Sequence, residues 1–490
     1  MIETIGVAEL ALGVIATGVR GDEVDLAAFG GYVMFARNGT DAATLARCTQ
    51  AIRARYAGQT PPLIAIDQEG GRVARLRSGV EPMPSMMALG AAGDVELAGR
   101  AGEQVAFDLR RAGCTMNFAP VLDLALDARS TVIGTRSIGS DPRVVATLGE
   151  AFAQGLQRGG VVPCYKHFPG HGSTEVDSHV DRPVVDADEA TLRARDLVPF
   201  AAVARTAPAM MGAHVVVTAF DARLPATLSP AIAGALLRGE LGFAGAYVTD
   251  CLEMGAVADV EGSVHAAVAA MRAGADLLLF SDSIELAMGA ADAIERAVSA
   301  GDLPLARLRE AYARVLRLRM AAQPPLSLDE FPPHPGVGRE IARRAVTLLH
   351  GVPHADPVTS FVVSFAGGEG PSLREEAPAL EELIVSLDPN DDEATAAIAA
   401  LEHSKRRPIV LTRRAHLHAP QVRAVTRILT QFPDAVIVSM LEPYDTGLFD
   451  GARHVLAAYG DDAASIGGLA DVLFGGIMPQ GRLPVTVAHA

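Results

Sequence analysis

The chain has 490 residues, 49% hydrophobic and 20% charged, with 48 glycines; at roughly 150 residues per domain, that length makes two to four domains with a sizeable core. The composition argues against a disordered chain or a small stapled scaffold and favours α/β layers. Acidic residues outnumber basic ones by 58 to 42, a formal charge of -16, which repels nucleic-acid phosphates and anionic lipid and leaves no nucleic acid and no membrane among the expected partners.

The first run, MIETIGVAELALGVIATG, carries acidic residues where a secretory signal carries basic ones. No later stretch approaches the ~20 apolar residues of a membrane span. Cys48, Cys114, Cys164 and Cys251 are far apart and form no CxxC pair, which argues against a zinc ribbon or disulfide framework and fits a reducing, cytoplasmic setting.

Eight short apolar segments read as strands: LGVIA (12–16), GYVMFA (31–36), PLIAID (62–67), CTMNFAPV (114–121), VVPCYKH (161–167), AMMGAHVVV (209–217), GAYVTD (245–250) and ADLLLFS (275–281). Stretches of helical period lie between them, such as AATLARCTQAIRARY and VELAGRAGEQVAFDLRRAG, the second closed by Gly113 as C-cap. Eight such units predict a (β/α)8 TIM-type barrel over residues 1–322. The proline-rich stretch 323–338 reads as a linker. Beyond it FVVSF, PIVLT and DAVIVSM alternate with helical stretches such as HAPQVRAVTRILTQF, predicting a smaller α/β sandwich domain over 339–490.

Chemistry in such a barrel sits at the carboxyl ends of the strands, where this sequence places Asp67, Asn117, Lys166 with His167, His214 and Asp250. The densest polar segment, CYKHFPGHGSTEVDSHVDRP (164–183), is a loop over the barrel mouth, because its proline and glycines stop a helix. Its histidines and carboxylates are also metal-ligand material. No HxH follows the first strand, however, and the other strand ends offer only scattered ligands, so neither metal nor cofactor is expected. The Asp177-Ser178-His179 spacing lets the carboxylate orient the imidazole as an acid/base dyad. Asp250, ending GAYVTD, suits either a helix N-cap or a nucleophilic carboxylate facing a separate acid/base group, as in a retaining glycosidase. Asp67 and Arg75, around Gly70-Gly71, suit hydrogen bonding to sugar hydroxyls or a surface ion pair, and GTRSIGSDP adds Arg136 on a glycine-flanked loop.

Taken in order, FARN (35–38), IDQEGGRVARL, NFAPVLDL, IGTRSIGSDP, KHFPGHGSTEVDSH, PATLSP (225–230) and VTDCLEMGAV resemble glycoside hydrolase family 3, in its β-N-acetylglucosaminidase branch, across the whole barrel. LFGGIMPQGRLPVTV (473–487) resembles the closing segment of members that keep a second domain. The resemblance implies that Asp250 is the nucleophile and His179 the acid/base, oriented by Asp177. Asp67, Arg75, Arg136, Lys166 and His167 would hold the hydroxyls and N-acetyl group, with Asp123 and His214 as further substrate contacts or supports. It implies a cofactor-free, exo-acting, retaining enzyme, monomer or homodimer, that removes terminal GlcNAc from peptidoglycan-derived fragments. The alternatives are a phosphorylase, a broader β-hexosaminidase acting on chitobiose, and a sugar-binding protein on a decayed enzyme scaffold. The second domain reads as structural or aglycone-binding; Glu442 and Asp445 in MLEPYDTG could reach the cleft, which the sequence does not decide.

Overall fold

In the computed structural model, which describes residues 2–20, 28–174, 183–322, 333–366, 371–449 and 451–488, eight strands close a barrel: β1 (Ile15–Gly18), β2 (Gly31–Met34), β3 (Leu63–Ile66), β4 (Met116–Asn117), β5 (Val162–Phe168), β6 (Ala209–Gly212), β7 (Ala246–Cys251) and β8 (Leu277–Phe280). Each strand pairs in parallel with its neighbours in sequence, and β8 returns to β1 with Ile15 opposite Leu278. All eight apolar segments of the sequence contribute a strand. The first starts later than expected because Val7–Gly13 is a helix burying Leu10, Ala11 and Gly13. The fourth shortens to two residues, Met116–Asn117.

Helices with side-chain caps follow the strands. Asp41, Asp94, Asp141 and Ser283 each accept from backbone amides in the first helical turn, satisfying donors that would otherwise be orphaned. The helix Val95–Arg111 ends where the sequence suggests, with Gly113 just beyond it at φ 78.

Inward-facing Ala16, Val33, Ala65, Met116, Cys164, Met211, Val248 and Leu279 fill the barrel. The same cluster takes in Leu63, Val162 and Ala209 at strand starts, together with Val315 and Leu318 of the helix Leu305–Ala321. That helix plugs the amino end of the barrel, and the open end is the carboxyl one, where polar side chains collect.

Much of the expected linker, 323–332, lies outside the described residues. A helix, Val337–Ala345, then leads into a six-stranded sheet of β9 (Thr347–His350), β10 (Ser360–Phe365), β11 (Glu381–Val385), β12 (Arg407–Thr412), β13 (Val436–Ser439) and β14 (His454–Ala457), ordered β9-β14-β13-β12-β10-β11. Only the β9–β14 pair is antiparallel. Two apolar clusters, one on Val362, Leu411 and Leu469, the other on Val363, Val410 and Val425, cover the two faces of this sheet, an α/β sandwich.

Candidate active site

A cavity of about 240 Å³ opens at the carboxyl end of the barrel, lined among others by Asp67, Glu69, Arg75, Arg136, Lys166, His167 and Asp250. Six of the seven come from the sequence reading; Glu69 does not. Just past β3 the chain turns back as a short hairpin, Gln68–Gly70 against Val73–Ala74, whose corner holds Gly70 and Gly71 at φ 108 and 53. Gly70 is required there for a second reason, since a Cβ would stand 2.4 Å from the Pro84 carbonyl oxygen. Asn117, at the end of β4, clamps Gln68: its Oδ1 accepts from the Gln68 amide at 3.0 Å and its Nδ2 donates to the Gln68 carbonyl at 2.9 Å. Asp67 and Glu69 are thereby fixed two residues apart on one side of an extended chain.

The two acids hold the cations of the site. Lys166 Nζ lies 2.7 Å from Asp67 Oδ1 and 2.6 Å from Glu69 Oε1. Arg136 binds Glu69 through two parallel 2.9 Å hydrogen bonds from Nε and Nη2, the strong bidentate form. Arg75 approaches the far oxygen of Asp67 at 3.7 Å, so Asp67 is the less fully occupied acid. Burial would raise the pKa of Glu69, but the charges of Arg136 and Lys166 outweigh it and hold the carboxyl well below the usual range. Burial would equally strip Lys166 of its proton, and the charges of Asp67 and Glu69 keep it there.

Asp123, read as a substrate contact or a support, takes the supporting place. It is 1% exposed and does not line the cavity. Its Oδ2 accepts from the His167 amide and meets Nδ1 of the same residue at 2.6 Å, while its Oδ1 accepts from the His171 amide at 2.7 Å. With both oxygens committed it orients His167 from behind, and it is the ring edge of His167 that borders the cavity. His214 likewise stands on the supporting side of its two readings: it is fully buried, absent from the cavity wall, and bonded at both ring nitrogens, to Thr227 Oγ1 and the Cys251 carbonyl, each at 2.9 Å.

Asp250 ends β7 on the cavity wall, its Oδ1 accepting from the Cys251 amide at 2.7 Å. Burial would raise its pKa, but the imidazoles of His214 and His167 and the Cys251 amide outweigh it and leave the carboxyl below its ordinary range. Three residues on, Glu253 accepts from the backbone amides of Ser281, Asp282 and Ser283. It fixes the loop after β8 against the loop after β7, so the wall carrying Asp250 and Ser281 is one rigid piece.

Asp177 and His179 lie outside the described residues, which stop at Thr174 and resume at Pro183. Among the described residues no cluster of three His, Cys, Asp or Glu side chains converges as a metal site, and no helix is long and apolar enough to cross a membrane.

The second domain meets the barrel loop that carries Arg136. Glu442 is paired twice with Arg414, each contact 2.8 Å, and accepts from the Thr135 amide at 3.2 Å. Gly134, at φ 44, leaves room for it: a Cβ there would stand 2.0 Å from Glu442 Oε1. Asp445 is fully buried, accepting from Thr412, from the His416 amide and from His416 Nδ1, while His416 Nε2 reaches the Ala128 carbonyl of the barrel at 2.9 Å. Neither acid lines the cavity, so the expectation that they reach the cleft is replaced by a role at the domain seam.

Residues 12–318 match the model of the glycosyl hydrolase family 3 N terminal domain. A β-hexosaminidase of Thiobacillus denitrificans is 42% identical over 265 residues, 53% of this chain and 73% of the relative. One of Bordetella avium is 40% identical over 293 residues, 58% of this chain and 82% of the relative. The structure of a family 3 β-N-acetylglucosaminidase from Paenibacillus sp. superposes with a TM-score of 0.89 at 31% identity, covering 99% of this chain and all of that one. The matched barrel and the acid-lined cavity at its carboxyl end thus agree, and this chain, a glycoside hydrolase, belongs to glycosyl hydrolase family 3.

Proposed function

We propose that the cavity is the donor-sugar site of a retaining exo-β-N-acetylglucosaminidase that removes terminal GlcNAc from peptidoglycan-derived fragments in the cytoplasm. The observation that carries this reading is Asp250, an ionised carboxylate on the wall of a cavity whose acids Asp67 and Glu69 are engaged in ion pairs with Lys166 and Arg136. At about 240 Å³ the cavity falls below the usual range of ligand pockets, room for one sugar unit and hence for exo action. The names of the β-hexosaminidases and of the Paenibacillus β-N-acetylglucosaminidase support the choice of sugar. The four free cysteines support a reducing compartment.

In this reading the Asp250 carboxylate attacks the anomeric carbon and the glycosidic bond breaks, with His179 giving its proton to the departing oxygen. The product of that step is a glycosyl ester on Asp250. His179, now neutral, takes a proton from water as the water attacks the same carbon, which frees GlcNAc with its configuration retained and regenerates Asp250. Asp177 holds the His179 ring in the required tautomer. Asp67, braced by Lys166 and Arg75, accepts from sugar hydroxyls, while Arg75 and His167 contribute donors.

The test is turnover of 4-nitrophenyl GlcNAc and labelling by a 5-fluoro glycosyl fluoride. Asp250→Asn abolishes turnover while the protein stays folded, and the label sits on Asp250; a label elsewhere removes the assignment. In phosphate buffer the product is GlcNAc, and GlcNAc-1-phosphate in its place would make the enzyme a phosphorylase.

A further inference from the structure

His214 ends up beside Asp250 with a hydrogen-bond environment that leaves little choice of protonation state. Its Nε2 lies 2.9 Å from the carbonyl oxygen of Cys251, the residue after Asp250, and a carbonyl can only accept. Its Nδ1 lies 2.9 Å from Thr227 Oγ1, and that hydroxyl is itself 2.8 Å from the Ala213 carbonyl. The single hydroxyl proton belongs on the Ala213 carbonyl, since without it two oxygens would face each other at 2.8 Å. Thr227 Oγ1 is then an acceptor toward Nδ1. Both ring nitrogens therefore face acceptors, the pattern of an imidazolium and not of either neutral tautomer. His171 makes the contrast: its Nδ1 meets Thr174 Oγ1 at 2.6 Å, and its buried Nε2 has no partner.

We propose that His214 is a buried imidazolium that positions the Asp250 strand end and supplies the fixed positive charge that keeps Asp250 ionised. This rests on Asp250 being the nucleophile. The ring is 0% exposed, so no water screens its charge from the carboxylate. Among the described residues, the other charged groups that bear on Asp250 are engaged elsewhere. Lys166 of β5 is bound to Asp67 and Glu69, and His167 of the same strand is bound through Nδ1 to Asp123. Glu253, beyond Cys251, faces the amides of the β8 loop. The Nε2 bond of His214 to the Cys251 carbonyl pins the backbone one residue past the nucleophile. The same side chain thus sets both the charge and the place of the reacting carboxylate.

Two measurements on the full chain test this. With 15N-labelled histidine, long-range 1H–15N correlation shows both His214 ring nitrogens protonated at pH 7, assigned by the signal lost in His214→Asn; a neutral tautomer there overturns the proposal. In kinetics, His214→Asn moves the acidic limb of the kcat/KM profile upward by roughly one unit, the low end of what loss of a nearby opposite charge gives, and His214→Lys brings it part of the way back. Thr227→Val, which removes the acceptor at Nδ1 and spares the ring, shifts the limb in the same direction by less. A limb that stays in place while activity falls evenly at all pH values makes His214 a packing residue and refutes the proposal. The nucleophile reading fails separately, by Asp250→Asn retaining turnover, and the imidazolium signal is read without reference to activity.

Discussion

Replacing Glu69 by glutamine keeps the shape of the site and removes one charge from the middle of three. The Glu69 side chain is 1% exposed and touches Arg136, 15% exposed, and Lys166, 3% exposed. Breaking a buried pair by removing one partner costs about 3–5 kcal/mol, mostly for the charge left without compensation. Here Lys166 keeps Asp67 and Arg136 keeps a 3.1 Å bond to the Val132 carbonyl, so the loss belongs at the low end, about 3 kcal/mol. The chain has no tryptophan, and far-UV circular dichroism during urea unfolding is the suitable probe. The pH dependence follows from the depressed carboxyl of the folded protein: its stabilisation is fully present above the ordinary glutamate pKa of about 4.3 and is lost as pH falls toward the lower folded value. The gap between Glu69→Gln and the parent is therefore constant from neutral pH to about 5 and narrows only in stronger acid. A Glu69→Gln protein within ~1 kcal/mol of the parent at pH 7, or a gap that narrows already between pH 7 and 6, refutes the ion-pair account.

Two further outcomes follow from other parts of the molecule. Gly134→Ala pushes a methyl group into Glu442 Oε1, displacing it from the Thr135 amide beside Arg136; steady-state kinetics show a KM raised several-fold with a smaller change in kcat. Thiol titration at pH 8 finds Cys48 alone in the folded protein and four thiols after denaturation, because burial pushes the thiols of Cys114 and Cys251 up to about 12 and leaves Cys164 fully enclosed.

The barrel was legible because each strand is buried on both faces and so reads as a continuous apolar run. The second domain was half legible for the same reason. Strands β10, β12 and β13 stand inside its sheet and carry the apolar runs FVV, IVL and VIV, whereas β11 and β9, outermost in the strand order, are partly exposed and read EELIV and TLLH; β14 is also inside, but its run, HVLA, is too short to stand out. The acids and bases at strand ends could be nominated from position alone. Glu69 escaped because it lies beyond its strand, in a hairpin; the available signal was its i+2 spacing from Asp67, which puts both side chains on one side of any extended chain. Asp123 and His214 could be found but not placed. Whether a polar side chain faces the cavity or backs its wall depends on which loop amides and hydroxyls arrive from elsewhere, here those of His167, His171 and Thr227.

The saturation of the second domain's acids bears on where the catalytic proton comes from. A general acid needs a proton at working pH and an oxygen free to offer it. Glu442 has neither: burial would raise its pKa, but Arg414 outweighs burial and holds it below the usual range, and both oxygens are occupied. Asp445 is equally committed, and although burial alone would lower the pKa of its partner His416, the bond to that carboxylate raises it. Within the cavity, Glu69 is ionised and bidentate with Arg136, and Asp250 is below its ordinary range. None of these four carboxyl groups is suited to be the proton donor. That is consistent with the proposal that His179 of the Asp177-Ser178-His179 segment gives the proton, and through Glu442 the second domain braces the loop of Arg136.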